Sequence, residues 1–439
     1  MPADPIMITD TELQGNLKNV YSDIRQNLFP ISTVLFAQIK KAGPGGMRSL
    51  KWGGRDVFFD VVANPPVNWG ASDAGSLPQS SQVTEVQGQV RVKRFYVTRE
   101  FDNLAIVGTQ SKQSAFMSLK AKITEEIDGA MQLGMQEHVH GNAKGIRAIV
   151  TATGTTSSCS ASSPYGVANS GQGGLWLYPG MYVEVLNSSG AGSKGKTFIT
   201  AVVNTGDSVA LTLSPALSSA PVLNDIIVAA TASDNAYDQY ANGLINITNR
   251  GGLYGSLHGI DAATTPRWNA TRFLAGTDTD SATDPNEMDV WKLAAKVGAV
   301  SGKRALSNPE EFLSVTTYGL QQKFIESFLA QRRFNVTGGE ELELNGGYKA
   351  LKLHNMPVVA DEYCPAGTFY LIHKPSLAWV DAADWSPVQY ENSGAVRFID
   401  GRDAFQTSFK VYFNLMTFQR NAHGSITGYT DTARYTPVV

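Results

Sequence analysis

The stretch that decides the fold runs from residue 345 to residue 373 and reads NGGYKALKLHNMPVVADEYCPAGTFYLIH. Its apolar and aromatic residues come in three short runs, Tyr348–Leu353, Pro357–Val359 and Thr368–Ile372. A polar turn separates the first two, and Pro365 and Gly367 punctuate the approach to the third, so the pattern predicts three short strands joined by tight turns. Downstream, Phe405, Phe409, Val411, Phe413 and Leu415 alternate with polar Gln406, Ser408, Lys410 and Asn414, the period of a long half-buried strand. Upstream, Asp289–Val300 reads as a helix. Pro309–Leu329 reads as a second one, with Asn308 as its cap and Phe312, Val315, Leu320, Phe324 and Phe328 near one face.

Further from that centre the chain changes character several times. Residues 1–50 form an arm with apolar teeth at Val20, Ile24, Leu28, Val34, Leu35 and Ile39, broken by Pro30 and closed by Gly43-Pro44-Gly45-Gly46. Residues 51–101 hold an outgoing run, Val57–Val62, and a returning run that alternates at Val86, Gly88, Val90 and Val92 before changing parity to Phe95, Val97 and Phe101. Such a change marks a bulge or a handover between sheet faces. The tip between them, Ala63–Gln82, is rich in Pro and Gly and carries Trp69. A loop of about 20 residues without structure of its own is uncommon in a compact domain unless something outside packs on it. Gln113–His140 is the clearest helix, about 40 Å long at 1.5 Å per residue. Residues 150–240 are Ser/Thr/Gly-rich with strand-like runs at Tyr182–Leu186, Thr197–Val203, Ser208–Leu213 and Asp225–Val228, which predicts an inserted small β-sandwich or barrel.

The central stretch resembles the main sheet of major capsid proteins of tailed double-stranded DNA bacteriophages. There a Gly-x-Pro-Val-Val-like strand precedes an acidic turn and a Pro-x-Gly-Thr-aromatic strand; here Asn355 and Met356 stand before Pro357. The order of arm, long hairpin, long helix and sheet is similar to the same family over nearly the whole chain. The resemblance implies an α+β fold of the phage Hong Kong 97 type: N-terminal arm (1–50), extended β-hairpin loop (51–101), peripheral domain with a spine helix (102–149), inserted β-domain (150–240), axial domain with the central sheet (241–384) and a return to the peripheral sheet (385–439). It implies a subunit that assembles as hexamers and pentamers into an icosahedral head around double-stranded DNA, built in the host cytoplasm and resident in the virion. Portal, scaffolding and decoration proteins would be its other partners. On this reading Pro65, Pro66 and Trp69 on the hairpin tip, and Leu28, Phe29 and Phe36 on the arm, contact neighbouring subunits, and Lys112, Lys120 and Lys122 on the spine helix face the packaged DNA. An encapsulin-type shell shares the fold but resembles a shorter chain without the insert. A tail or receptor-binding β-protein would draw on the strand-rich middle.

Composition agrees with a structural subunit. The 439 residues are too many for one core and predict two or three domains. Net charge is −3 and charged residues make up 17%, so no overall basic field exists to hold nucleic acid, and broad polar contacts are favoured over charged helices. Two cysteines, Cys159 and Cys364, provide neither a disulfide framework nor metal-ligand spacing. No secretory signal pattern or membrane-length apolar run occurs, which predicts a soluble chain, and a start at Met1 predicts no removed pro-segment.

Three motifs invite an enzymatic reading. Gly190-Ala191-Gly192-Ser193-Lys194-Gly195-Lys196-Thr197 matches the phosphate-binding loop of nucleotide hydrolases. That loop needs a following helix whose N-terminus cradles phosphate, whereas Phe198–Val203 is β-branched and strand-like, so a hairpin tip is predicted. His138 and His140, beside Glu137, lack the i, i+4 spacing or third ligand of a metal site and are expected to complement the negative end of the long helix. Gly255–Gly259 lacks the spacing of a hydrolase nucleophile elbow. The expectation is therefore no enzyme, no cofactor and no metal.

Overall fold

The computed structural model describes residues 48–51, 56–65, 68–71, 75, 77–102, 119–166, 172–204, 208–231, 233–249, 255–332, 351–389 and 396–431. They fall into two compact units. The smaller contains 98–102, 119–130, 387–389 and 396–408, and the larger contains the rest.

In chain order, β1 (Arg48–Lys51) is followed by the antiparallel pair β2 (Asp56–Asn64) and β3 (Thr84–Arg91), which face each other from Asp56↔Arg91 to Asn64↔Thr84. The predicted parity change is a handover: β3 ends at Arg91, and β4 (Lys93–Asp102) leaves β2 to pair elsewhere. Helix α1 spans Leu119–His140; the residues 113–118 that the sequence adds to it lie outside the described part.

Six strands then close a barrel: β5 (Ile146–Val150), β6 (Ser158–Ser162), β7 (Tyr182–Leu186), β8 (Ser193–Asn204), β9 (Val209–Ser214) and β10 (Ile226–Ala229), in the spatial order β10-β5-β6-β9-β8-β7. Alternate residues point inward, among them Val183, Val185, Ile199, Val209, Leu211, Leu213 and Ile227, together with Cys159. Of the sandwich and the barrel, the chain forms the barrel. Its first strand starts at Ile146, upstream of residue 150. Closure leaves no unpaired strand edge in a module whose strands are only 4 to 12 residues long.

Beyond the barrel come α2 (Leu244–Thr248), the two-residue strands β11 (Ser256–Leu257) and β12 (Ile260–Asp261), β13 (Thr271–Leu274) and α3 (Glu287–Ser301). Helix α3 starts at a capping box in which the Asn286 side chain accepts from the Asp289 N–H and the Asp289 carboxylate from the Asn286 N–H, and it ends at Gly302 with φ 73°. The predicted helix over Pro309–Leu329 is corrected. Residues 309–311 form a single 3-10 turn with no side-chain cap from Asn308, Phe312–Thr316 is strand β14, and helix α4 begins at Tyr318 and runs to Arg332. Every residue of β14 is buried, with Phe312 in one core cluster and Leu313 and Val315 in another. A strand covered on both faces has no polar alternation, and its apolar spacing imitates a helix.

The central stretch forms β15 (Lys352–Leu353), β16 (Met356–Ala360) and β17 (Phe369–His373), followed by β18 (Leu377–Pro387), β19 (Val396–Phe398), β20 (Ala404–Thr417) and β21 (Gly424–Thr427). A six-stranded mixed sheet has the order β13-β21-β17-β14-β16-β15. It therefore includes β21, which differs from the assignment of all of 385–439 to the other sheet. In the larger unit β1 lies parallel to β18. In the smaller, β19 pairs antiparallel with the start of β20, and Phe405 packs on Phe101 and Phe398.

Candidate assembly surface

The β2–β3 ribbon is anchored at its base and bare toward its tip. Val57 and Val90 are buried with Ala378, Val380 and Met416, and Phe59 packs against that cluster. Phe59 faces Gly88 across the ribbon, and its ring lies over the glycine so closely that a Cβ there would stand 2.4 Å from it. The Phe59 ring also meets His258, Trp268 and Phe418 at centroid distances of 5.8, 6.3 and 5.9 Å.

His258 and Gly259 form the two-residue turn between β11 and β12, both with positive φ (58° and 78°), the geometry of a tight hairpin. This turn sits under the ribbon: the His258 carbonyl accepts from the Gln89 N–H at 2.8 Å. Its Nε2 accepts from the Thr417 N–H at 3.1 Å, which places the ring proton on Nδ1. Burial, reinforced by the Arg420 guanidinium, pushes the imidazole down to about 3, so it is neutral. Arg420 is itself buried and donates to the Asn246 and Ile247 carbonyls at the end of α2, at 3.1 and 3.2 Å. A second anchor is Asn414, whose side-chain amide donates to the Arg91 carbonyl at 2.7 Å.

Toward the tip the ribbon carries uncovered apolar side chains. Phe58 and Val62 project from one face of β2, and Val83, Trp69 and Leu77 follow, with Trp69 79% and Leu77 92% exposed. Pro65 is exposed at the end of β2, and Pro66 lies outside the described residues. The structure thus brings Pro65 and Trp69 onto one exposed loop. Leu28, Phe29, Phe36 and Lys112 lie outside the described residues, as do the side chains of Lys120 and Lys122 in α1.

The enzymatic motifs resolve into structural roles. Gly190–Thr197 is the β7–β8 turn with the start of β8. The N–H groups of Ala191 and Gly192, which a phosphate would need, both donate to the Asn187 carboxamide oxygen at 3.1 Å. Lys194 pairs with Asp225 at 2.8 Å, and Lys196 donates to the Thr231 and Asp234 carbonyls. The expectation that His138 and His140 complement a helix end is corrected for His138. It is buried, accepts from the Ala241 N–H at 3.1 Å, and is pushed down to about 3 by burial and the Arg147 charge, so it offers the helix no positive charge. His140 is fully buried with Nε2 3.4 Å from an Asp361 carboxylate oxygen. Glu137 takes Arg147 in a two-point ion pair. Both cysteines are free and buried, and burial pushes both thiols up. Among the described residues no cluster of three His, Cys, Asp or Glu side chains is placed to hold a metal, and no helix is long and apolar enough to cross a membrane. Sequence reasoning missed the His258 turn and the Asn187 plug. A His-Gly pair between apolar residues was the available signal for the first, and Asn followed by Ser-Ser-Gly for the second.

No family model and no curated protein matches the sequence. Solved structures do. A chain of the cyanophage A-1(L) capsid asymmetric unit superposes over 96% of this chain and 100% of its own with a TM-score of 0.58 at 13% identity. The capsid chains of native and empty GTA particles each align over 98% of this chain and 100% of theirs, with a TM-score of 0.50 at 9% identity. The fold is therefore that of capsid subunits, the α+β Hong Kong 97-type class that the central stretch resembles.

Proposed function

We propose that this chain is the major capsid protein of a tailed double-stranded DNA phage, a structural subunit that closes with copies of itself into an icosahedral head. The observation that carries the reading is a ribbon fixed at its base and uncovered at its tip, in a fold shared end to end with capsid chains. Apolar side chains as exposed as Trp69 and Leu77 mark a surface that another molecule covers. In a closed shell each subunit both gives and receives such a contact, so a modest energy repeats at every copy. The subunit's role is geometric, without a catalytic step, and hexamers and pentamers are its products. Portal, scaffolding and decoration proteins and the packaged DNA are its further partners, and the virion is its location. Negative-stain electron microscopy of the purified full-length chain tests the reading: closed heads support it, whereas monomers that stay dispersed at high concentration, or fibres, overturn it.

A further inference from the structure

The outer face of strands β4 and β20 is a second surface that the shell reading leaves unassigned. On β4 the odd residues turn inward: Phe95 and Val97 pack on the core that holds Met131, Met135 and Val139, and Lys93 reaches back to the Asp238 carbonyl at 2.6 Å. Period two sends Arg94 and Tyr96 outward, and both are exposed. On the paired strand β20, Lys410 and Tyr412 occupy the matching face. The four side chains converge. The Arg94 guanidinium carbon lies 5.8 Å and the Lys410 ammonium 5.4 Å from the centre of the Tyr412 ring, and the Tyr96 and Tyr412 hydroxyls are 3.2 Å apart. Two cations thus lie against one aromatic ring, and among the described residues neither has a carboxylate within ion-pair distance. Two like charges held over one ring repel each other, and the ring quadrupole offsets only part of that. An anion completes the arrangement, and one with charges repeating along a backbone meets both cations at once. With the two tyrosine hydroxyls bonded to each other, one O–H remains as a neutral donor for a phosphate oxygen, and phosphate contacts carry no sequence information.

From this we propose that the Arg94, Tyr96, Lys410 and Tyr412 face binds the phosphate backbone of double-stranded nucleic acid without sequence preference. The inference rests on the shell reading, which sets the subunit around such a polymer. Fluorescence anisotropy of unassembled full-length chain with a short labelled DNA duplex of mixed sequence, across a salt series, tests it. The double substitution Arg94→Gln with Lys410→Gln should weaken binding several-fold and flatten the dependence of log K on log salt by about 2, close to 0.9 for each phosphate no longer neutralised. Arg94→Lys, which keeps the charge, should leave the slope unchanged. If the double variant fails to fold, as read by circular dichroism, each single Gln variant should flatten the slope by about 1. An unaltered slope in the substituted proteins overturns the inference. So does Arg94- and Lys410-dependent binding of an oligoglutamate peptide by a chain that ignores the duplex, which would make the face a dock for an acidic protein surface. Normal shells with no patch-dependent DNA affinity refute this inference alone, whereas a chain that forms no shells refutes the shell reading whatever the duplex does.

Discussion

Replacing Trp69 by alanine separates subunit folding from assembly. The ring is 79% exposed, so little of its area is covered within the subunit. A tryptophan offers up to about 250 Å² for burial, of which about 200 Å² remains open here. At about 25 cal/mol per Å² the largest gain from covering it would be about 5 kcal/mol, and partial coverage by a neighbour would contribute about 2 kcal/mol per copy. Inside the isolated subunit the same substitution should change stability by no more than about 0.5 kcal/mol, the range of exposed positions without special contacts. A loss of about 2 kcal/mol at one contact corresponds to about a thirtyfold weaker association, repeated at each copy in the shell. Denaturant melts of unassembled subunit, and particle counts by electron microscopy at matched concentrations, measure the two quantities. The expected result is an unchanged melt with sharply fewer or less heat-stable shells. A destabilised monomer would place the ring in the subunit's own core. Unchanged shells would leave the tip a free loop and remove the main reason for an extended ribbon.

Lys196→Ala should leave assembly intact and reveal no nucleotide binding by equilibrium dialysis, because Asn187 already takes the N–H groups of the turn; ATP binding that disappears on substitution would refute this. The hairpin tip, 63–82, contains no lysine and so offers no amine for an amide cross-link to a neighbour; shells should give one band at monomer mass on a denaturing gel rather than a ladder. A fragment spanning 144–240 should show β-type circular dichroism and cooperative melting, whereas one starting at 151 lacks β5 and should not, since the barrel cannot close. Acid should destabilise the fold before carboxylates titrate. Burial, with Arg147, Arg420 or His373 nearby, holds His138, His258 and His423 at about 3, against about 6.5 when unfolded. The unfolded chain therefore binds more protons below pH 6.5, and stability is full above that value and falls as pH drops toward 3. At pH 5 each imidazole costs about 2 kcal/mol, so the urea midpoint should fall clearly between pH 7.5 and 5, and a flat profile would contradict the buried neutral assignment.

The parts of this architecture that were legible in the sequence are those with one covered face. Strands β8 and β9 alternate between covered and open positions and are bounded by turn residues, so their positions could be read within a few residues. The handover after Arg91 was visible as a parity change. Strand β14 was not legible, because Phe312 and Leu313 enter opposite core clusters and a strand buried on both sides has no period to read. His138 was misread for a related reason: a dipole argument assumes a charged ring at an exposed helix end, and only the fold shows that the imidazole is sealed beneath Tyr240 and Phe413. The exposure of Trp69 was legible because a large ring in a Pro/Gly-rich loop has no nearby apolar run to pack on.

The base of the ribbon explains how its tip can stay uncovered. A two-stranded ribbon is marginal in water by itself, and one that presents Phe58, Val62, Trp69 and Leu77 to solvent gains nothing from them within the subunit. Its strands persist because Val57 and Val90 are buried, Phe59 closes over Gly88, and the His258 turn and Asn414 each supply a backbone hydrogen bond from below. On the proposed shell reading, stability and assembly fall to different residues of one hairpin. The neutral His258 belongs to the first group: its Nε2 must stay unprotonated to accept from Thr417, beside the Arg420 charge. On the proposed shell reading, such a subunit folds before it meets a neighbour, and the apolar surface of the tip is left for a contact between copies.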